Sequence, residues 1–196
     1  MSTLLVAAIQ DVDAGGPKAT LPTSGGSNFT LGPNWGAVEF VSGANISAAT
    51  NLDITGFVAG YDYIVTVHGA RPATDAATLH GRFSQSTTFD TGSSYADQTG
   101  TGITSMKMGA NTFGNASTEG LTAIIIVPEP NVGSRMKFAH AQEGLGSYTN
   151  GTVYGFGHGG GLFIANENAV DGLRLYFSSG DWTANGKCYV FRRRLS

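Results

Sequence analysis

The stretch Val170-Asp-Gly-Leu-Arg-Leu-Tyr-Phe-Ser-Ser-Gly-Asp-Trp-Thr-Ala-Asn-Gly-Lys-Cys-Tyr-Val-Phe191, close to the end of the 196-residue chain, decides the fold. Apolar and polar residues alternate over residues 173–177, which is the period of a half-buried β-strand. Asn185-Gly186 is a turn signal, and residues 187–192 are expected to form a return strand. The stretch therefore predicts a terminal β-hairpin that closes a β-sandwich.

Residues upstream of this stretch show the same alternation of apolar and polar residues. Short alternating segments, such as residues 61–68 and 79–84, are separated by turn signals, and no window has a helical period. The nearly continuous apolar run over residues 121–127 predicts a strand buried on both faces. The glycine cluster at residues 155–161 predicts a turn between two strands. Residues 35–196 are therefore expected to form one all-β domain, an antiparallel β-sandwich that is jelly-roll-like.

Residues 1–34 differ from this domain because prolines and glycines are frequent there. This composition excludes a long helix and weakens any central strand. The apolar residues Leu4, Leu5, Val6 and Ile9 favour an extended N-terminal arm that docks on another subunit. A flexible terminus is the alternative interpretation.

The amino-acid composition limits the classes of partner that are expected. Charged residues make up 13% of the chain and the net charge is −3, so no nucleic-acid partner is expected. The run Arg192-Arg193-Arg194 is interpreted as a solvated tail, or as an anchor on an acidic neighbour. The single cysteine, Cys188, excludes an intrachain disulfide and is expected to be buried. Neither a signal peptide nor a run long enough for membrane insertion is expected.

Residues that could take part in catalysis or bind a metal form no recognisable motif. The four histidines, His68, His80, His140 and His158, lack metal-ligand spacing, although a threefold axis could gather copies of one of them. His68 and His80 are expected to form a surface pair on adjacent strands. No Gly-x-Ser-x-Gly turn occurs. Catalytic, metal and cofactor sites are therefore not predicted.

Aromatic side chains near loops suggest a contact surface. Tyr148 and Trp182, with Asn150 between them in the chain, are candidates for contact with sugars or with a partner protein, because flat rings stack on both. The alternative is that the rings cap the edge of the core.

Two blocks of the sequence resemble a recurrent module of tail-fibre, head-fibre and spike-like proteins of tailed bacteriophages. The first block contains Ile46-Ser-Ala-Ala49, Leu52-Asp-Ile54, Tyr61-Asp-Tyr-Ile-Val65, Arg71-Pro-Ala-Thr74, Leu79, Arg82-Phe-Ser84 and Phe89-Asp-Thr-Gly-Ser-Ser-Tyr95. The second is Gly172-Leu-Arg-Leu-Tyr-Phe-Ser-Ser-Gly180 followed by Gly186. One departure is Phe191-Arg192, where a Tyr-Gly pair is common in that group.

The resemblance implies a jelly-roll-like domain that is usually trimeric and mounted on a virion. It supplies no catalytic residues. The expected function is that of a non-enzymatic virion structural protein, a fibre- or spike-type appendage on capsid or tail. Such a homotrimer would contact other virion proteins and host-surface glycans or a neighbouring appendage. A capsid decoration protein and a glycan-active enzyme are the alternatives.

Overall fold

The computed structural model describes residues 38–109, 112–117, 119–146 and 156–195, and also three short strands nearer the N-terminus. All regular secondary structure in these ranges is β, and all strand pairs are antiparallel. The prediction of an all-β antiparallel β-sandwich is confirmed. In chain order the strands are β1 (Ala8–Gln10), β2 (Pro17–Thr20), β3 (Thr30–Leu31), β4 (Val38–Asn45), β5 (Leu52–Thr55), β6 (Tyr61–Ala70), β7 (Leu79–Gln85), β8 (Thr88–Phe89), β9 (Tyr95–Asp97), β10 (Gly100–Ile103), β11 (Met106–Lys107), β12 (Gly120–Val127), β13 (Lys137–Gly146), β14 (Phe156–Phe163), β15 (Gly172–Phe177) and β16 (Lys187–Arg194).

Two sheets form the sandwich. The large sheet has the spatial order β10-β9-β14-β13-β12-β6-β16-β4, and the small sheet has the order β11-β7-β15-β5, with β8 paired to β7. Pairing is nested, since β4 pairs with β16, β5 with β15, β6 with β12, and β7 with β11. A long antiparallel hairpin rolled into two sheets has this nested order, and the jelly-roll-like part of the expected fold stays a prediction. Strands β13 and β14 extend the large sheet.

The core lies between the two sheets, and the sequence alternation places it there. Burial along β6 alternates, with Tyr63, Val65 and Val67 inside, and the inward residues of β15 are likewise buried. Each strand thus covers one side of a layer about 10 Å thick. Cys188 is buried as expected, and burial raises the pKa of its thiol to about 11.

The C-terminal stretch is not a hairpin, and that prediction is wrong. β15 pairs with β5 and β7 in the small sheet, whereas β16 pairs with β4 and β6 in the large sheet. The intervening segment, residues 178–186, therefore crosses from one sheet to the other. The alternation and the glycine turn were correctly predicted, but they do not determine the partner strand. Gly186 has the positive φ of +92° that the turn requires.

Two further expectations are corrected. Burial along β12 alternates, with Ile124 and Ile126 exposed, so this strand is not buried on both faces. The glycine cluster is not a turn, because residues 157–161 lie within β14. A Cβ at Gly159 would come within 2.3 Å of the Met108 backbone, so the glycines permit close backbone approach.

The predicted N-terminal arm contains a small antiparallel sheet of order β1-β2-β3. Ile9 pairs with Ala19 across β1 and β2, and Pro17 is the first residue of the central strand, where a missing N–H is tolerated. Leu4, Leu5 and Val6 lie outside the described residues. Docking of this segment on another subunit stays a prediction.

Candidate interaction surfaces

The outer face of the large sheet carries an apolar patch. Five of its side chains are exposed, and we call them the apolar patch: Phe40, Ile124, Ile126, Phe138 and Leu162. Phe40 is 62% exposed and Phe138 is 43% exposed. A contiguous patch on the order of a few hundred Å² is at the upper end of what monomers expose and commonly marks an interaction site.

Strand register places two members of the apolar patch, Phe40 and Ile126, in one row across the sheet. One row across the sheet runs from Phe40 to Phe191, then to Ile64 and Ile126, each directly opposite the next. The rings of Phe40 and Phe191 meet edge-to-face with centroids 5.8 Å apart. Side chains in directly opposed positions are about 5 Å apart at Cβ. This row is therefore apolar across four strands. On β13 the residue opposite Ile126 is His140, and Phe138 lies opposite Leu162.

On strand β13 an apolar side chain faces solvent while the charged residue next to it in the chain is buried. Lys137 is 1% exposed, whereas the next residue, Phe138, points to solvent. The Lys137 Nζ donates to the carbonyl oxygens of Arg135 (2.5 Å) and Glu167 (3.5 Å). Burial lowers the pKa of Lys137. A lysine is thus buried while a phenylalanine is exposed, which is the reverse of the usual preference.

Strand β4, which contributes Phe40 to the apolar patch, is one edge of the large sheet. All eight of its residues are exposed, among them Val38, Phe40 and Val41. An exposed edge strand presents unpaired backbone N–H and C=O groups, and apolar side chains do not protect it from pairing. One ion pair joins β4 to its neighbour β16, since Arg192 Nε lies 2.8 Å from Glu39 Oε2.

The predicted arginine tail is therefore part of the sheet. Arg193 pairs with the buried Asp62 at 2.5 Å, and the Arg192 guanidinium lies 4.2 Å from the centroid of the Tyr61 ring. The hydrogen bond that Arg192 donates to the Glu39 carboxylate raises the pKa of Arg192. The interpretation of residues 192–194 as a solvated tail is wrong for these two arginines.

A separate basic cleft opens at one end of the large sheet, where β4 and β6 end and β12 and β16 begin. Its volume is about 630 Å³. The residues that line this basic cleft are Asn45, His68, Gly69, Arg71, Ser117, Glu119, Ala184, Asn185, Gly186 and Lys187. Asn45, Lys187 and His68 are directly opposite one another on three adjacent strands.

The three residues predicted to contact a ligand or partner differ in what the structure shows of them. Trp182 is 1% exposed, and its Nε1 donates to the Leu175 carbonyl at 3.3 Å. Its ring packs on Phe177 with centroids 4.5 Å apart. The prediction that Trp182 forms a contact surface is wrong, because the ring belongs to the core. Tyr148 and Asn150 lie outside the described residues, so their role stays a prediction.

The histidines are arranged differently from the expected surface pair. His68 lies on β6 of the large sheet and His80 on β7 of the small sheet, so they are not neighbours. The rings of His140 and His158 stack instead, with centroids 6.1 Å apart. No group of three metal-ligating side chains occurs among the described residues.

His80 forms a polar cluster that the sequence did not indicate. Its Nδ1 lies 2.9 Å from Ser105 Oγ, and its Nε2 lies 2.9 Å from Thr78 Oγ1. The Asp97 carboxylate accepts hydrogen bonds from Thr99 N, Thr99 Oγ1 and Lys107 N. His80 is thus held between two hydroxyl groups and stabilises the contact between β7 and the segment before β11. Ser105 is 25 residues away in sequence, and only the strand pairing brings it close.

Acid should destabilise the fold through His80. Burial lowers its pKa, Asp97 opposes this, and Lys107 and Arg82 add to it. Because the folded-state pKa is below the unfolded value of about 6.5, the unfolded state binds the proton first as pH falls below that value. We expect urea midpoints to fall between pH 7.5 and pH 5, and to fall less for His80→Gln. Equal losses in both proteins would contradict this assignment.

No family model matches the chain, and neither the curated proteins nor the solved structures include a match. Within the described part of the chain, no helix has the length and apolar character needed to span a membrane.

Proposed function

We propose that this protein is a non-enzymatic structural protein of a tailed-bacteriophage virion, a fibre- or spike-type appendage mounted on the capsid or the tail. Its sandwich assembles as a homotrimer and contacts other virion proteins. The two sequence blocks that resemble phage appendage modules support this proposal, as does the nested strand order of the two sheets.

The apolar patch with the adjacent edge strand β4 is the observation that carries the proposal. In an isolated chain Phe40, Ile126 and Phe138 would stay in water, whereas contact with another chain removes them at about 25 cal/mol per Å². The centres of protein interfaces are apolar and depleted of charge. The patch has this composition.

A second copy of the chain is the partner that the patch fits best. The chain has a net charge of −3. Identical copies present the same surface to each other, so charged groups of the same sign repel wherever they meet across an interface. The apolar patch carries no charged side chain, and its nearest ion pair, Arg193–Asp62, is internally neutralised. Two copies can therefore meet across this face without opposing like charges.

Quantitative mass spectrometry of purified particles tests the location. The particles come from lysates of the strain that carries the gene, separated on a density gradient and washed at high salt. We expect this protein to band with the major capsid protein at a copy number divisible by three. A copy number equal to that of the capsid subunits would favour the decoration role instead. Recovery in the soluble fraction alone would contradict a virion function.

A further inference from the structure

The basic cleft has the chemistry of a binding site for an anionic carbohydrate. We propose that Arg71 and Lys187 bind a carboxylate or phosphate group of an acidic glycan, while the amides of Asn45 and Asn185 bind its hydroxyl groups. The inference rests on the cleft alone and holds wherever the protein is located.

The cations in the cleft are available for a ligand. Four arginines elsewhere, Arg135, Arg174, Arg192 and Arg193, form ion pairs with carboxylates. Arg71 and Lys187 make no ion pair within the described ranges, and Arg71 Nη1 has only a long hydrogen bond of 3.4 Å to the Asn115 carbonyl. Free guanidinium groups favour carboxylate and phosphate, which they bind through two parallel hydrogen bonds.

The cleft also contains one acidic residue, Glu119, beside the two cations Arg71 and Lys187. Glu119 is buried, and its Oε2 accepts a hydrogen bond from Ala116 N at 2.8 Å. Its carboxylate packs so closely on Gly114 that a Cβ there would overlap it. The Glu119 carboxylate thus contacts its own loop, and the two cations in the lining outnumber it.

Side chains with amide groups stand beside the cations. Asn45, Lys187 and His68 occupy directly opposed positions on β4, β16 and β6, and all three are exposed. Asn185 lies in the adjoining loop and is also exposed. Amide side chains both donate and accept, which suits the hydroxyl groups of a sugar. A few convergent polar groups around an open concavity are typical of ligand sites.

The floor of the cleft is closely packed backbone. Ile46 N donates to the Gly186 carbonyl at 3.1 Å, which joins the loop to the end of β4. A Cβ at Gly186 would come within 2.6 Å of the His68 carbonyl oxygen. The loop therefore lies directly against β6, and the cleft is formed before any ligand binds. Preformed sites lose less entropy on binding.

A matched pair of variants on one strand tests the proposal. Lys187→Gln and Arg194→Gln each remove one positive charge from an exposed position of β16, at its first and last residues. Isothermal titration calorimetry measures binding. Hyaluronan hexasaccharide probes carboxylate binding and poly(glycerol phosphate) probes phosphate binding. Neutral chitohexaose is the control ligand. Urea midpoints verify that both variants fold.

We expect the wild-type protein to bind at least one anionic probe and not chitohexaose. Lys187→Gln should weaken that binding by at least about tenfold, Arg71→Gln should do the same, and Arg194→Gln should change it less than about twofold. Whichever anionic probe binds identifies the charged group. Absence of binding to both anionic probes, or equal weakening by Lys187→Gln and Arg194→Gln, would overturn the proposal. Neither result would bear on particle assembly.

Discussion

The substitution Ile126→Glu is expected to convert the proposed trimer into monomers. Ile126 lies in the middle of the apolar patch, opposite Ile64 on one side and His140 on the other. It is 38% exposed in the isolated chain, so a carboxylate there is solvated and the fold tolerates it. In the proposed trimer the same carboxylate would be buried without a partner, which costs several kcal/mol per ion. Each interface should therefore weaken by at least about a hundredfold.

Light scattering coupled to size-exclusion chromatography, over a dilution series, measures this effect. Val58→Glu is the matched control, because Val58 is an apolar residue of similar exposure (45%) outside the apolar patch, in the connection between β5 and β6. We expect the control to stay trimeric and Ile126→Glu to elute as a folded monomer. A trimer that survives Ile126→Glu would show that another surface holds the copies together.

Trp182→Ala is expected to lower the free energy of unfolding by about 3–5 kcal/mol, the range for large aromatic side chains removed from a core. The ring fills the crossing between the sheets, packs on Phe177 and donates to the Leu175 carbonyl. Its backbone N donates to the Ala49 carbonyl as well. The cavity left by alanine would disrupt the loop that leads into β16.

Trp182→Phe is the informative companion. It keeps an aromatic ring in the core and removes the Nε1 donor, so we expect a smaller loss of about 1–3 kcal/mol. Chemical denaturation followed by circular dichroism measures both variants. A loss below about 1 kcal/mol for Trp182→Ala would contradict the buried position and return Trp182 to the exposed contact role that the sequence suggested.

Local pattern was enough to predict the β-class and the faces of several strands. Alternation in β6 and β15 identified their inward residues, because the side-chain period of a strand directly sets which face each residue occupies. The turn at Asn185-Gly186 was predictable because a positive φ strongly favours glycine. These features depend only on neighbours in the chain.

Features that depend on distant partners were not predictable in this way. Alternation does not state which sheet a strand joins, so β15 and β16 were assigned to one hairpin although they lie in different sheets. The apolar run of β12 suggested burial on both faces, whereas Ile124 and Ile126 are exposed in the single chain. A sequence that is apolar on both faces does not distinguish burial within the chain from burial by another copy.

The candidate sites likewise depend on residues that are distant in the sequence, so they could not be predicted from local pattern. The basic cleft joins the ends of β4 and β6 with the starts of β12 and β16, which are widely separated in sequence. Its cations could be seen in the sequence, but their lack of carboxylate partners could not. The contact between His80 and Ser105 likewise exists only because β7 pairs with β11.

A cryo-EM map of the particle that carries this protein tests the central claim most directly, namely that copies assemble through the outer face of the large sheet. We predict density for three copies in which Phe40, Ile126 and Phe138 of each copy are covered by a neighbouring copy. Density that leaves this face open to solvent, or a particle without density for the protein, would contradict the account.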